Sequence, residues 1–299
     1  MPTWTDALNA FQRHLRAAGS SHATIAGYLG NLRDFAAWLE ATAGKPVPPE
    51  SVRVADVQAY REYVSDTMGR SAATVNRRLQ SIRKFGQFAH RVGLSEINPA
   101  QGVPLVKRKG SGAPRTLQMA EFEQLLDAAG RNRPQSAARN RAVLQLLLHT
   151  GIRVGEMVAL RLDDVRLDEQ RAALTVRAAG RRAARSVPLN DVVRCALEEY
   201  LGHPHPAGST HLFRGREGRP LSVRAVQQIV ADLASATGLD VSSKTLRDTH
   251  AHQLWQETGD LGLVAERLGY GRPETAVRHI TPLSTGGPTT EVLEGRPAL

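Results

Sequence analysis

The chain breaks once, at NPAQGVPLVKRKGSGAPR, residues 98–115. Proline, glycine and serine at this density interrupt regular structure, so the 299 residues fall into two lengths, each long enough to bury its own core. The break predicts an interdomain linker over 99–115, with one domain at 1–98 and another at 116–282. A polar, Gly/Pro-bearing tail occupies 283–299. The linker carries Lys107, Arg108, Lys109 and Arg115 with no acidic residue among them, which suits contact with phosphates.

The first length reads as helix throughout. Ala7, Phe11 and Leu15, then Ile25, Tyr28, Leu32, Phe35 and Leu39, recur at three- and four-residue spacing, the mark of amphipathic helices. Ser20 and Ser21 are cap candidates, and Gly44 with the following prolines ends the second helix. Further helices are expected at about 54–66 and 72–92. The last of these puts Val75, Leu79, Ile82 and Phe85 on one face and Arg77, Arg78, Arg83 and Lys84 on the other. Such a basic face fits a phosphate backbone, and a solvated surface looks the same.

The second length opens at Thr116, a cap candidate before TLQMAEFEQLL. Helices are expected at 137–149, 154–161, 190–201, 222–237, 244–258, 260–268 and 273–280. Two short strands, near 173–177 and 185–189, are joined by a small basic turn. The fold class is therefore mainly α with a small β-sheet (α+β).

Charge narrows the partner. Lys and Arg total 39 against 29 Asp and Glu, a net +10, and a basic surface attracts polyanions through counterion release. An Arg-rich genome is the bland alternative. The lone Cys195 forms no internal disulfide or cysteine metal cluster. His250 and His252, two apart on a helix, face different ways and make a poor ligand pair, so neither metal nor cofactor is expected. His203 and His205 lie in a loop read as solvent-exposed. With no long apolar run and no signal-peptide pattern at the first residues, a cytoplasmic protein is expected, without membrane contact.

Two segments carry a resemblance. HTGIRVGEMVALRLDDV (149–165) resembles the first signature of the tyrosine recombinase (phage integrase) family, in its Xer-like branch. KTLRDTHAHQL with LVAERLGY (244–270) resembles the second, and residues 11–41 look like the family's core-binding, SAM-like helical domain. The resemblance implies a core-binding domain followed by a catalytic-type domain, closing as a C-shaped clamp on double-stranded DNA. Arg153 and Arg247 match its two phosphate-clamping arginines. Its chemistry is attack of a tyrosine on a phosphodiester, which leaves a 3′-phosphotyrosyl link and a free 5′-hydroxyl. Neither metal nor ATP takes part, so guanidinium groups must neutralise the transition state. Glu156 matches an acidic residue near the first arginine, where a buttressing role is expected.

Four positions depart from the pattern. The turn that should hold a proton-donating lysine offers Ala179, Gly180 or Arg181; Arg181 or Arg182 would keep a phosphate contact but is a poor acid at neutral pH. Lys244 replaces a histidine. Tyr270 stands where a histidine or tryptophan follows the LG turn, and His279 stands where the nucleophilic tyrosine should be. Three readings follow. The protein has lost strand transfer and keeps DNA binding as a regulator or as partner of an active recombinase, which is the reading preferred from the sequence. Alternatively Tyr270 attacks while His279 assists, or His279 itself attacks. A homodimer or tetramer on DNA is compatible with each.

Overall fold

Amphipathic spacing in the first hundred residues becomes α1 (Trp4–Ala17), α2 (His22–Ala43), α3 (Val54–Glu62) and α4 (Ala72–Arg91). The computed structural model describes residues 3–107, 114–180, 183–204, 210–215 and 218–280. The chain separates into two compact units, 1–109 and 110–299.

In the first unit the caps follow the sequence. Ser21 accepts from the Thr24 amide to start α2, and Gly44, at φ 65°, ends it in the left-handed region. Phe11, Leu15, Leu32, Phe35, Tyr60, Leu79 and Ile82 are fully buried between the helices. Trp4 stacks on Phe85 with ring centres 5.5 Å apart, while its indole N–H donates to the Val47 carbonyl at 2.8 Å. A buried hydrogen bond from Asn31 to Ser81, 2.9 Å, ties α2 to α4.

The segment expected to be linker from residue 99 onwards begins instead as part of this unit. Ala100 and Val103 are buried in its core. Asn76 on α4 donates to the Val106 carbonyl and accepts from the Val106 amide, each at 2.8 Å. Arg83 donates to the carbonyls of Ala100 and Val103 at 3.2 and 2.8 Å. The return runs so close to α4 that a Cβ on Gly86 would lie 2.1 Å from Asn98 Oδ1. Prolines and glycines prevented a helix here without freeing the chain, because α4 side chains satisfy the irregular backbone.

The second unit is built around α6 (Pro134–Thr150), whose C-terminal two turns are buried nearly all round; Ala138, Ala142, Val143, Leu144, Leu146 and Leu147 have no exposed surface. Packed on it are α5 (Met119–Gly130), α8 (Asp191–Leu201), α9 (Val223–Thr237) and α10 (Ser243–Thr258). The α5 cap is Gln118, which forms a capping box with Glu121, and not Thr116 as expected. Thr116 lies upstream, and the adjacent Leu117 amide is taken by the Thr249 hydroxyl at 2.8 Å.

The two strands expected are β2 (Ala173–Val176) and β3 (Arg185–Pro188), antiparallel with Val176 opposite Arg185. A two-residue β1 (Val165–Arg166), too short to signal itself by alternation, pairs with β2. Beyond α6 come α7 (Val154–Ala159), then α11 (Leu261–Arg267) and α12 (Glu274–Ile280) after α10. The last three gather a small core of Ala251, Val264, Ala265, Leu268 and Ala276. No helix among the described residues is long and apolar enough to cross a membrane.

Candidate active site

Two glycine turns bring the site together. Gly151, at φ 58°, ends α6, and Arg153 then caps α7. Gly269, at φ 64°, follows α11 and delivers Tyr270. Both turns are crowded: a Cβ on Gly151 would meet His250 Cδ2 at 2.5 Å, and one on Gly269 would meet Arg185 Nη1 at the same distance. The positive φ favours glycine at each, and at Gly151 the approach of the His250 ring and Leu268 adds to that demand.

Arg247, buried on α10, clamps the two turns. Its Nη1 donates to the Gly151 carbonyl and its Nη2 to the Leu268 carbonyl, the latter at 2.7 Å. Arg153 donates from Nη2 to the Gly269 carbonyl at 3.2 Å and from Nη1 to Glu156 Oε1 at 2.8 Å. The residues matched to the phosphate-clamping pair thus stand in one place. Their guanidinium carbons lie 4.7 Å (Arg153) and 5.3 Å (Arg247) from the centre of the Tyr270 ring. Cations at this range are held by the ring's electron-rich face.

Glu156 is a buried buttress rather than half of a surface pair, with its side chain 9% exposed. Besides Arg153 it takes two bonds from Arg185 on β3, at 3.2 and 2.8 Å. Burial pushes the Glu156 carboxyl up, but the bonds and charges of Arg185 and Arg153 outweigh it and bring the group from an ordinary 4.5 to about 2. Its contribution to stability is complete above pH 4.5 and is lost as pH falls toward 2, worth about 3 kcal/mol. Glu156→Gln is therefore expected to be less stable than native at pH 6 in urea denaturation and to lack this component of the loss between pH 4.5 and 2.

Tyr270, His279, Asp248 and Lys244 form a continuous hydrogen-bonded chain. The Tyr270 hydroxyl is 2.8 Å from His279 Nε2, and His279 Nδ1 is 2.6 Å from Asp248 Oδ1. Lys244 donates to Asp248 Oδ2, one turn along α10. Arg278 adds a bond to the Tyr270 oxygen at 2.9 Å. Asp248 and His279 are buried, whereas the Lys244 side chain is 69% exposed. Burial pushes the Tyr270 phenol up. Bonds from Arg278 and Arg247, the Arg247 charge and the bond to His279 overcome that and bring it from 10 to about 7.

The five residues singled out from the sequence, Arg153, Lys244, Arg247, Tyr270 and His279, are therefore assembled together. Three more belong with them. Asp248 carried a weak signal, four residues after Lys244 on a helix. Arg278 adjoined His279, and Arg185 offered none, because its partner Glu156 is remote in sequence. His250, beside Gly151, is held near 4 by burial first and then by the charges of His149 and Arg247, so its ring is neutral at pH 7. His203 is half-buried rather than solvent-exposed.

Outside this cluster the basic residues differ in their freedom. Arg77, Lys84 and Lys107 are exposed. Arg78 is taken by the Tyr60 hydroxyl at 2.7 Å and by Asp34 at 3.1 Å, and Arg83 by the returning chain. Ala179 and Gly180, candidates for the missing lysine position, bring no charge, and Gly180 has φ 60°. Arg108, Lys109, Arg181, Arg182, His205 and the tail from 283 lie outside the described residues.

Comparison with known proteins agrees with this architecture. Residues 115–283 match the phage integrase family, and residues 8–93 match its N-terminal SAM-like domain. Tyrosine recombinase XerC of Chromobacterium violaceum is 32% identical over 89% of this chain and 86% of its own length. XerC of Thermodesulfovibrio yellowstonii is 30% identical over 89% and 88%. Among solved structures, a lambda integrase dimer bound to a COC′ core site superimposes with a TM-score of 0.70 at 18% identity, over 96% of this chain and 80% of that one. A post-cleavage complex of XerH recombinase with difH DNA gives 0.69 at 19% identity, over 93% and 81%.

Proposed function

The chain belongs to the phage integrase, or tyrosine recombinase, family, and from that premise we propose that it cuts and rejoins duplex DNA with Tyr270 as the attacking group. Arg153 and Arg247 hold the scissile phosphate. The Tyr270 oxygen forms a bond to phosphorus as its proton passes to His279 Nε2. The bond from phosphorus to the 5′ oxygen breaks, and that oxygen takes a proton from Lys244. Religation runs the same steps backwards.

The observation that carries this reading is the Tyr270 hydroxyl itself, bonded to an imidazole and an arginine beside both clamp residues. A phenol lowered toward 7 gives up its proton readily to a neighbouring base at neutral pH, which suits a nucleophile. The exchange of tyrosine and histidine between positions 270 and 279 becomes a conserved pair of functions in exchanged places.

A second reading, DNA binding without strand transfer, is favoured by one observation: Arg247 already spends two donors on backbone carbonyls. A nicked suicide substrate, in which the cleaved end diffuses away, separates the two. A covalent protein–DNA adduct from the native chain is expected. Its absence, with an adduct appearing in His279→Tyr, would establish the second reading instead.

DNA binding draws on the exposed cations of the first unit, Arg77 and Lys84, with Lys107. Affinity is expected to fall steeply with salt, and Arg77→Ala with Lys84→Ala to flatten the slope of log K against log salt by about 2. Fluorescence anisotropy with labelled duplex at several salt concentrations measures it. Copies of this chain, as a dimer or tetramer, or an active recombinase partner, would supply the second DNA end.

A further inference from the structure

We propose that Asp248 is a positioning residue that keeps the His279 proton on Nδ1 and so leaves Nε2 free to take the proton of Tyr270 in cleavage and return it in religation. This rests on the reading of Tyr270 as nucleophile.

The argument is an accounting of donors and acceptors. An arginine N–H only donates, so the bond from Arg278 uses a lone pair of the Tyr270 oxygen. The hydroxyl proton is thereby free to point at its other neighbour, His279 Nε2. A lysine ammonium also only donates, so Lys244 meets Asp248 Oδ2 as an acceptor. The carboxylate then offers Oδ1 to His279 Nδ1, again as an acceptor. A neutral imidazole carries one N–H, and here that N–H must be Nδ1. For a neutral ring the donors at both ends fix the pattern of protons from Lys244 to Arg278, and the acceptor facing the phenol is the consequence.

When the Tyr270 O–H bond breaks and the Tyr270 oxygen bonds to phosphorus, His279 becomes an imidazolium beside Asp248. As Lys244 gives a proton to the departing 5′ oxygen, it becomes neutral. The carboxylate keeps one cationic partner throughout, first the exposed Lys244 and then the buried His279. An unpaired buried carboxylate is thereby avoided, which low-dielectric surroundings would penalise.

Asp248→Asn tests this with little change of shape. Lys244 can only donate, so it turns the amide oxygen toward itself and the amide N–H₂ toward His279. Nδ1 must then accept, the ring proton moves to Nε2, and the phenol loses its acceptor. The rate of adduct formation on a suicide substrate is expected to fall by about 10²- to 10⁴-fold, the contribution of a positioned general base. The loss is expected to shrink as pH rises, because solvent hydroxide takes over the proton. The groups facing this pair are Arg278 on α12, Arg247 and Lys244 on α10 and Arg153 before α7, and all remain in the variant. DNA affinity measured alongside is expected to match native, which verifies folding.

A substrate with sulfur bridging to the 5′ carbon separates the two ends of the chain, since a thiolate leaves without a proton. On it the Asp248→Asn loss is expected to persist, while the loss in Lys244→Met is relieved. An Asp248→Asn rate equal to native, or reduced by the same factor at every pH, would overturn the role of Asp248 while leaving Tyr270 as nucleophile intact. An undiminished adduct in Tyr270→Phe would instead overturn the reading beneath it.

Discussion

Tyr270→Phe is expected to abolish the covalent adduct on a nicked suicide substrate, by at least about 10⁴-fold, with DNA affinity unchanged. The substitution removes one oxygen. It keeps the ring face against which Arg153, Arg247 and Arg278 lie at 4.7 to 5.3 Å, so the cation–π contacts and the clamp geometry persist. Loss of adduct without loss of binding then reports the chemistry alone, and peptide mapping of the native adduct should place the DNA on residue 270. His279→Tyr is expected to lower the adduct as well, because a phenol at 279 accepts a proton poorly and loses the anchoring bond to Asp248. The two variants point in opposite directions for the rival readings: a protein that lost its nucleophile at 279 gains activity from His279→Tyr, and one that moved it to 270 does not.

The second large effect is expected for Arg247→Ala, which should eliminate the adduct and also destabilise the second unit by about 2–5 kcal/mol. The Gly151 and Leu268 carbonyls are each left without their arginine donor, and an unsatisfied buried acceptor costs about 1–3 kcal/mol. The stem of a largely buried side chain leaves a void in addition. Arg247→Lys is expected to recover part of the stability and little of the activity, since one ammonium serves one carbonyl and has no planar fork for a phosphate. Urea denaturation followed by tryptophan fluorescence reads the second unit through Trp255, while Trp4 and Trp38 report the first.

Much of this was legible in the sequence because it was local. Periodicity located the helices of both units to within a few residues, Gly44 and Ser21 marked the ends of α2, and the TGIR and LRD segments brought the two arginines forward. What escaped depended on neighbours remote in the chain. The basic face of α4 looked uniform, yet Arg83 was already committed to carbonyls at 100 and 103 and Arg78 to Tyr60 and Asp34. The composition of 98–107 spelled flexibility, yet bonds from Asn76 and Arg83 and the burial of Ala100 and Val103 make it part of a core. Asp248 was the largest omission. An aspartate on an otherwise ordinary helix turn acquires meaning only when α12 places an imidazole 2.6 Å away. With that contact absent, four altered positions looked like four losses; with it, Lys244, Tyr270 and His279 share one hydrogen-bonded chain.

The bond from Arg247 to Gly151 joins residues 96 apart, and the one from His279 to Asp248 spans 31 more positions of chain. Contacts between distant residues pay their closure entropy before they give anything back. During synthesis the first unit is complete long before residue 247 exists, and domains fold as units from the N-terminal side. The first unit can therefore be folded while the cluster around Arg247 is still unmade, and that cluster closes only once α10 to α12 have left the ribosome.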